Sequence, residues 1–277
     1  MIVIAIAALI LAFAFSVYFL LAMPRLKHRA DMDMLISDYA HRGLWGEGCP
    51  ENSMAAFTRA LERGIGIELD VQLTADKHVV VFHDPDLVRM CGVERRVSSM
   101  TYRELSKLRL LGGYQAIPTL NEVLKLVDGK VPILIELKGR ERDVELCRRV
   151  TALLDKYCGA FAIKSFDPMK LYWFKKFRPR YARGQIVAKV KPSRKTKKKE
   201  TIKVKLFRFA FSNMLVNFLS RPDFISVDKN MHKHFMIRFF KRFCNVKVFV
   251  WTVRSGRDYN DLRRDGYYPI FEKIIKL

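Results

Sequence analysis

The chain has 277 residues, of which 50% are hydrophobic and 29% are charged, so it is long enough for one large α/β domain and too apolar to be disordered. Its 51 Lys and Arg exceed its 28 Asp and Glu, and the net charge of +23 predicts an anionic partner. Five widely spaced cysteines form no CxxC pair or Cys/His cluster, which argues against a zinc site and a disulfide framework. We expect reduced thiols in a cytosolic compartment.

The beginning of the chain predicts a membrane anchor over residues 1–24. This segment has no charged side chain, and its apolar run, Ile2 to Ala22, is long enough to cross a bilayer as a helix. Basic residues follow it directly at Arg25, Lys27 and Arg29. By the positive-inside rule, these place the rest of the chain in the cytoplasm, after a linker over residues 25–37. A cleaved secretory peptide is the alternative, but its basic n-region is absent and the apolar run exceeds its usual length.

Residues 38–277 predict one domain in which strands alternate with helices. The β-rich runs are Ile65–Leu73, Val79–Phe82, Pro132–Leu137, Phe161–Ser165, Phe224–Val227 and Val246–Trp251. Three helix starts are marked by capping boxes at Thr101-x-x-Glu104 and Thr119-x-x-Glu122 and by the pair Asp167-Pro168. The alternation favours a parallel sheet, and the length is close to the about 250 residues typical of a (β/α)8 barrel. The pattern alone does not decide between a barrel and an open sheet.

Two predicted strands carry carboxylates on one face. Because side chains alternate along a strand, Glu68 and Asp70 share a face of the run Ile65–Leu73. By the same rule, Glu136 and Lys138 share a face at the end of the run that begins at Pro132. Carboxylates that point the same way repel one another unless a cation or a proton lies between them. A half-exposed strand shows the same alternation, which is the structural alternative. Three carboxylates from two strands suit a hard divalent cation, so we expect a Ca²⁺ or Mg²⁺ site at Glu68, Asp70 and Glu136.

Two histidines come at the ends of predicted strands. His41 ends the run Tyr39-Ala40-His41, and His83 follows Val79–Phe82. A single histidine is usually structural, but two at strand ends beside an acidic strand suit a general acid and a general base. We assign His41 and His83 to catalysis, without a decision on which is the acid.

A basic and then apolar segment occupies about residues 189–220. Lysines and arginines crowd residues 189–208, where Glu200 is the sole acid, and an aromatic-rich run follows over Leu206–Leu219. The run is too short to span a bilayer, but a basic flank beside a broadly apolar helix favours an interfacial helix on an anionic membrane. A helix packed on the barrel after a solvated loop is the alternative. Nucleic acid is not expected as a partner, because the aromatic residues are not interleaved with the basic ones.

As a spaced set, these motifs resemble the glycerophosphodiester phosphodiesterase family. The set comprises His41-Arg42-Gly43, Glu51-Asn52-Ser53, Glu68-Leu69-Asp70-Val71, Val81-Phe82-His83-Asp84, Ile117-Pro118-Thr119-Leu120, Glu136-Leu137-Lys138, Ser165-Phe166 and Val250-Trp251-Thr252-Val253. The likeness covers the chain from about residue 38 to its end. It implies a TIM barrel with a small insertion subdomain at about residues 85–113, a divalent metal ion, and hydrolysis of a glycerol-linked phosphodiester to a phosphomonoester and an alcohol.

The resemblance also implies a role for each residue of the site. The metal ligands are Glu68, Asp70 and Glu136, the acid/base pair is His41 and His83, and the substrate-binding residues are Arg42, Lys138, Phe166 and Trp251. A cation together with Arg42 and Lys138 neutralises the anionic diester, so that a nucleophile can approach. The family likeness implies that a glycerol hydroxyl of the substrate attacks first and forms a cyclic phosphate. Phe166 and Trp251 suit apolar walls of the site, and barrel core is an equally good interpretation of both.

One segment departs from the family pattern. Gly266–Glu272 lacks the Thr-Asp or Thr-Asn dipeptide that often follows the last strand. None of the assigned metal or histidine positions lies there, so we expect the departure to affect the last loop more than the chemistry.

The expected function is that of a single-pass membrane enzyme whose metal-dependent phosphodiesterase domain faces the cytoplasm. Its substrates would be glycerophosphodiesters or lysophospholipid and glycerophospholipid headgroups, and an anionic membrane surface would be a partner. A catalytically silent, membrane-associated barrel that binds lipid or acts as a scaffold is the alternative. A silent barrel has no need of both histidines and all three carboxylates, which argues against it.

Overall fold

Strands alternate with helices along the chain, as the sequence predicts. The computed structural model describes residues 1–27, 32–139, 144–189 and 201–273. The strands are β1 (Tyr39–His41), β2 (Gly66–Leu73), β3 (Val79–Val81), β4 (Asp86–Leu87), β5 (Val93–Arg96), β6 (Ile133–Leu137), β7 (Phe161–Ser165), β8 (Ala182–Val187), β9 (Phe224–Asp228), β10 (Lys247–Val253) and β11 (Tyr268–Phe271). The helices are α1 (Ile2–Ala22), α2 (Met54–Glu62), α3 (Val88–Cys91), α4 (Tyr102–Leu105), α5 (Leu120–Val127), α6 (Val144–Leu154), α7 (Pro168–Phe177), α8 (Ile202–Ser212), α9 (Asn217–Ser220), α10 (Phe235–Phe243) and α11 (Gly256–Arg264).

The parallel strands close into a barrel. Their order is β1-β11-β10-β9-β8-β7-β6-β2, and β2 pairs with β1 in turn, through Tyr39 opposite Gly66 and His41 opposite Glu68. Within the described residues this gives eight parallel strands with no free edge. The expected TIM barrel is therefore confirmed, and the open sheet that the pattern had left possible is excluded.

Apolar side chains fill the lower half of the barrel. The interior cluster is Met32, Leu35, Tyr39, Leu134, Ala162, Ala182, Phe224, Phe249 and Ile270, all of them buried. Gly184 on β8 leaves room for the ring of Phe224 on β9, since a Cβ atom on Gly184 would lie 2.1 Å from that ring. Residues two positions further along the same strands form the next layer, whose polar members are His41, Glu136, Lys164, Ser226 and Glu272. This layer at the carboxyl ends of the strands holds the candidate site.

One predicted strand runs in the opposite direction to the barrel strands. β3 pairs antiparallel with β2, through Val71 opposite Val81 and Leu73 opposite Val79. β2 extends past the barrel rim, and the turn after Leu73 brings the chain back. His83 therefore reaches the mouth of the barrel as the return arm of a hairpin, and not as the end of a barrel strand.

The hairpin leads into an insertion with a core of its own. β4 and β5 form a two-stranded antiparallel sheet, and α3 and α4 lie beside it. Its apolar cluster consists of Val80, Phe82, Leu87, Met90, Val97, Met100, Leu105, Leu110 and Ile117, all buried. The helices and strands of the insertion lie over residues 86–112.

The predicted helix starts have the expected caps. Thr101 and Thr119 each accept a hydrogen bond from a backbone N–H three residues on, and Glu104 and Glu122 each bond back to complete a capping box. Asp167 accepts from the backbone N–H of Met169 and precedes a proline in the first turn of α7. All three local predictions are confirmed, because cap geometry depends on residues within one turn of the chain.

The first helix is long and apolar enough to cross a membrane, judged by length and composition. Its side chains are exposed over most of its length, whereas Ala22 is buried. The end of α1 is fastened to the barrel, since Arg221 donates to the carbonyl oxygens of Leu20 and Met23, and Asn217 donates to that of Ala22. Arg25 continues the attachment with an ion pair to Asp223 at 3.2 Å.

The basic and apolar segment differs in part from the prediction. Most of its basic residues lie in residues 190–200, outside the described part of the chain. The apolar run is not one helix over Leu206–Leu219, because α8 ends at Ser212 and α9 follows only after a left-handed residue, Met214. In α8, Phe211 is buried, whereas the other large apolar side chains are exposed, including Phe207 and Phe209. The segment is therefore not a helix packed against the barrel along its length.

Candidate active site

Three carboxylates meet in the polar layer of the barrel. Glu68 and Asp70 come from β2 and Glu136 from β6, where Asp70 and Glu136 are direct neighbours across the two strands. One oxygen of each lies within 4.8 Å of the others, and all three side chains are buried. Alternation along the strands thus brings together the residues that the sequence assigns to a metal.

Two lysines face this triad. The Lys138 ammonium lies 3.2 Å from Asp70 Oδ1 and 2.5 Å from Glu136 Oε1. The Lys164 ammonium, on β7, lies 2.8 Å from Glu68 Oε1 and 3.4 Å from Glu136 Oε2. Lys164 is 1% exposed, and sequence reasoning did not assign it. Its signal is the alternation Ala162, Lys164, Phe166, which places the lysine on the inner face of β7.

The charges in this layer stabilise one another. Burial alone would raise the carboxylate pKa values, but Lys138 lowers the pKa of both Asp70 and Glu136 below its usual range, with Lys164 adding to the effect on Glu136. Burial would likewise lower the lysine pKa values, yet the carboxylates raise the pKa of Lys138 and Lys164. Asp70, Glu136, Lys138 and Lys164 are therefore ionised at neutral pH, which keeps these two carboxylates ready to bind a cation.

The carboxylate oxygens fit a hard divalent cation. Glu68 Oε1, Asp70 Oδ1 and Glu136 Oε1 are buried and have no hydrogen-bond partner among the described residues, although each faces a lysine ammonium. A buried carboxylate oxygen without a hydrogen bond needs a cation beside it, a role that the lysine ammoniums fill here and that a metal ion can share. Oxygen-only ligands from acidic side chains are the set that Ca²⁺ and Mg²⁺ take.

His41 is held by a residue from the departing segment. Its Nδ1 lies 2.5 Å from Glu272 Oε1, and its Nε2 lies 3.8 Å from Glu68 Oε2. Glu272 also accepts from Arg254, and although burial alone would raise its pKa, its bonds to His41 and Arg254 lower the pKa to about 2. Gly266–Glu272 was expected to affect the last loop more than the chemistry, yet its Glu272 contacts an assigned histidine. The alternation of Ile270 and Glu272 at the end of β11 was the missed signal.

His83 is held in a similar way from the insertion. Its Nδ1 lies 2.6 Å from Asp84 Oδ1, and Arg89 on α3 donates to Asp84 Oδ2 at 2.6 Å. Arg89 also donates twice to Glu51, at 2.6 and 3.0 Å. The insertion therefore fixes the orientation of a histidine at the barrel mouth. Sequence reasoning missed Arg89, because its contact with Glu51 spans 38 positions and depends on how the insertion folds.

A tight turn after β1 places Arg42 beside the triad. Arg42 and Gly43 both have positive φ, at 63° and 81°, and a Cβ atom on Gly43 would lie 2.9 Å from Ala56. The turn directs the Arg42 backbone N–H to Glu68 Oε2 and its Nε to within 3.4 Å of Asp70 Oδ2. Asn52 adds a hydrogen bond to Asp70 Oδ2 at 3.0 Å, so Asn52 is a further site residue that received no role from the sequence.

The two assigned aromatic residues lie together beside the site. The rings of Phe166 and Trp251 are 5.9 Å apart, edge to face, and Phe166 also stacks on Phe211 of α8 at 6.1 Å. Phe166 lines a groove of about 960 Å³, together with Glu136, Leu137, Lys138, Gly139, Ser165, Asp167, Pro168, Met169, Phe207, Phe211, Val216 and Leu219. The groove thus joins two residues of the charged layer to an apolar wall from α8 and α9.

Comparison with known proteins identifies the family. The profile of the glycerophosphoryl diester phosphodiesterase family matches residues 41–271, which include both histidines and all three carboxylates. The chain belongs to this family. It is 30% identical over 268 residues to YhdW of Bacillus subtilis, which is named a glycerophosphodiester phosphodiesterase, and the match covers 86% of this chain and 96% of that protein.

Other relatives match a part of the phosphodiesterase or its fold. It is 34% identical to human lysophospholipase D GDPD1 over 154 residues, which is 50% of this chain and 48% of that protein. The glycerophosphodiester phosphodiesterase of Thermotoga maritima superposes with a TM-score of 0.63 at 28% identity, over 85% of this chain and 94% of that one. The phosphodiesterase of Oleispira antarctica, solved with its product sn-glycerol-3-phosphate, superposes with a TM-score of 0.69 at 22% identity, over 86% and 93% of the two chains, and shows the shared fold.

Proposed function

We propose that the phosphodiesterase is a metal-dependent enzyme of the cytoplasmic membrane surface that cleaves lysophospholipids between phosphate and headgroup. The observation that carries this proposal is the groove in which Glu136 and Lys138 adjoin the apolar side chains of Phe166, Phe207 and Phe211. A lysophospholipid has a phosphodiester and one acyl chain. One continuous surface offers charged groups for the phosphodiester and apolar side chains for the acyl chain. The human relative is named a lysophospholipase D, which supports the same substrate class.

The charged layer neutralises the phosphodiester. Glu68, Asp70 and Glu136 would hold a Ca²⁺ or Mg²⁺ ion, which supplies Lewis-acid neutralisation of the phosphate when bound. Arg42 and Lys138 extend into the same space and contact the remaining phosphate oxygens. Their ion pairs with Asp70 hold both cations in position before the substrate arrives.

The two histidines transfer protons on either side of the phosphate. In each, a carboxylate at Nδ1 orients the ring, Glu272 for His41 and Asp84 for His83. This leaves Nε2 of one ring to take the proton of the attacking glycerol hydroxyl and Nε2 of the other to protonate the leaving alcohol. The phosphorus–oxygen bond to the alcohol breaks as the new one forms, and water then opens the cyclic phosphate.

The first helix and α8 would hold the site at the bilayer. We assign α1 as a retained single-pass anchor with the barrel on the cytoplasmic side, from the basic residues that follow it. α8 presents exposed Ile202, Leu206 and Phe209 beside Lys203 and Lys205, a composition that suits the headgroup region of an anionic leaflet. Glycerophosphodiesters without an acyl chain remain substrates, because they need only the charged layer.

Turnover of two substrates by the detergent-solubilised full chain tests this function. We expect hydrolysis of glycerophosphocholine and of a short-chain lysophosphatidylcholine kept below its critical micelle concentration, restored by Mg²⁺ or Ca²⁺ after EDTA. Phe207→Ser should raise KM for the lysolipid and leave glycerophosphocholine unchanged. Phe209→Ser is the matched control, since Phe209 is equally exposed on α8 but lies outside the groove.

Three results would contradict parts of the proposal. No turnover of either substrate with any metal would favour the silent, lipid-binding barrel. Turnover that survives EDTA would contradict metal dependence. An equal effect of Phe207→Ser and Phe209→Ser would remove the groove as the acyl site and leave α8 as a membrane contact only.

A further inference from the structure

A lysine ammonium lies inside the proposed metal site. Lys164 Nζ is 2.8 Å from Glu68 Oε1 and 3.4 Å from Glu136 Oε2, so it bridges two of the three carboxylates. Glu136 and Lys164 are direct neighbours across β6 and β7, which fixes the lysine at the level of the triad. Lys164 is 1% exposed, so its charge has no access to bulk water.

This arrangement balances the charge of the layer without a metal. The triad carries three negative charges, and Lys138, Lys164 and Arg42 supply three positive ones within 3.4 Å of its oxygens. A divalent ion bound to Glu68 and Glu136 would lie next to Lys164 Nζ, since metal–oxygen distances for such ions are roughly 2.0–2.6 Å. The metal ion and the Lys164 ammonium would then repel each other strongly, because both are positive, near each other and buried.

We propose that Lys164 is a built-in counter-ion that weakens divalent-cation binding and holds the carboxylates in place when no cation is bound. The proposal rests on the metal role of Glu68, Asp70 and Glu136 in the proposed function. The enzyme then binds its metal only where the free ion is abundant, and a loosely held ion such as Mg²⁺ suits this better than a trace metal. Loss of the metal would not expose three uncompensated buried carboxylates.

Calorimetric titration of the full-length enzyme in detergent with Mg²⁺ and Ca²⁺ tests the proposal. We expect Lys164→Gln to bind the ion about tenfold more tightly or better, because the repulsion is removed. Lys164→Met, which keeps the length of the side chain without its charge, should do the same. Lys164→Arg keeps the charge and should bind as weakly as the wild type. Lys247→Gln is the matched control, since it removes one positive charge at the start of β10, at the opposite end of the barrel.

Thermal unfolding gives a second measurement that does not depend on activity. Without metal, Lys164→Gln should melt below the wild type. Saturating Mg²⁺ should raise its Tm by more than it raises that of the wild type, since stabilisation by a ligand grows with the logarithm of its affinity. Unchanged or weaker metal binding in both Lys164→Gln and Lys164→Met would overturn the counter-ion role and leave the proposed function intact. No metal binding in any variant would overturn both.

A separate observation concerns the outer face of α10. Phe235, Phe239 and Phe243 recur at every fourth residue and stack in a row, with ring centroids 6.2 and 4.9 Å apart. Phe235 is 65% and Phe243 is 72% exposed, whereas Met236 and Ile237 on the opposite face are buried. A solvent-exposed row of phenylalanines is unfavourable in water and calls for an apolar partner.

The surroundings of this row identify a lipid surface as the partner. The basic residues Arg238, Lys241 and Arg242 line the same groove as the three rings, with Asp265 as the single acidic residue among the described lining residues. Phe19 of α1 contacts Phe239 with ring centroids 5.8 Å apart, so the middle of the row lies beside the end of the proposed membrane span. We infer that this α10 face lies in the headgroup region of the anionic leaflet that α1 enters, a contact that depends on the proposed membrane span.

Depth-dependent quenching of tryptophan fluorescence by brominated lipids tests this contact. The full chain is placed in nanodiscs of anionic phosphatidylglycerol and phosphatidylcholine with brominated acyl chains, and the signal of wild type is subtracted. Phe243→Trp should be quenched. Lys125→Trp, exposed on α5 across the barrel, should not be.

Equal quenching of both variants, or of neither, would overturn the contact. Crosslinking between two copies through this face, without quenching, would assign it to a dimer instead and would also overturn it. Hydrolysis of glycerophosphocholine in the same nanodiscs shows separately whether the proposed function holds.

Discussion

Two histidines at the barrel mouth each have a carboxylate on Nδ1, but from opposite ends of the chain. Glu272 closes the barrel after β11, whereas Asp84 follows the hairpin of β2 and β3 and is braced by Arg89. Strand alternation, a local property, predicts that the three carboxylates lie together, and the structure brings them together with both assigned histidines nearby. It does not identify Arg89, whose contact depends on long-range packing. Lys164 and Glu272 follow the same alternation rule as the triad, so this rule could also have predicted that they face the site.

Removal of either histidine should abolish most of the activity without unfolding the protein. We expect His41→Ala and His83→Ala each to lower kcat by about 10²-fold or more, because proton transfer by a positioned side chain contributes that much. Steady-state kinetics on glycerophosphocholine measures the effect, and circular dichroism checks the fold. His78→Ala, an exposed histidine outside the site, is the control. Full activity of both site variants would refute their catalytic assignment.

Glu272 should act through His41 and contribute to stability in a pH-dependent way. Its folded-state pKa of about 2 lies below its ordinary value of 4.5, so the ionised carboxylate favours the folded state. This contribution is present above about pH 4.5 and is lost as the pH falls towards 2. Glu272→Gln should therefore be less stable than wild type near neutral pH, with the difference shrinking in acid.

Urea unfolding of both proteins across this pH range measures the difference in stability. A positioning role further predicts that Glu272→Gln lowers kcat more than it raises KM and shifts the pH profile of kcat. A stability difference that is independent of pH would contradict the linkage. Unchanged kcat would leave Glu272 with a structural role alone.

At the scale of elements, the barrel strands are best predicted where no glycine, proline or run of polar residues interrupts the strand-forming residues. β2, β6, β7 and β9 are recognised from their sequence to within one residue at each end. β8 and β11 were not recognised, because Arg183, Gly184 and Gln185 interrupt one and Pro269 interrupts the other. β3 was recognised but not its antiparallel direction, which depends on the turn after Leu73 and not on its own composition. Sequence alternation reports which face a residue takes, and leaves the direction of the strand open.

The fit between β8 and β9 should tolerate no added methyl group. Gly184→Ala would place a Cβ atom 2.1 Å from the Phe224 ring in the buried interior, so a shift of the ring or backbone is required. We expect a loss of about 1–3 kcal/mol in the free energy of unfolding, typical of overpacking. Gly256→Ala is the control, since nothing lies within 4 Å of that added Cβ atom. Denaturant titration measures both, and equal stability of the two variants would contradict the packing.

At the scale of the whole molecule, the net charge of +23 predicts an anionic partner and the apolar α1 predicts a membrane. The fold brings α1 close to other helices that carry exposed apolar and basic residues. α1 contacts α9 and α10, and α9 follows closely on α8 in the chain. This convergence was not predictable from the sequence, because it depends on where the barrel brings distant helices together. The apolar character of α1 was predictable, since it requires only composition.

Labelling of one thiol, that of Cys158, can show on which side of the membrane the barrel lies. Cys158 is exposed, whereas Cys49 and Cys147 are buried, and burial raises the pKa of Cys91 to about 11 and that of Cys244 above its usual value. A membrane-impermeant maleimide should therefore label mainly Cys158, because the thiolate is the reactive form. We expect labelling in inside-out vesicles and not in intact cells, and its loss in Cys158→Ser. Labelling of intact cells would place the barrel on the outer side.

The attachment of α1 to the barrel has a kinetic consequence. Arg221 and Asn217 bind the end of α1, and Arg25 just after it pairs with Asp223, so α1 and the barrel move as one unit. If α1 spans the bilayer as proposed, the enzyme meets lipid by lateral diffusion within its own membrane. Its velocity then follows the mole fraction of substrate in that membrane, and diluting the vesicles in buffer leaves it unchanged.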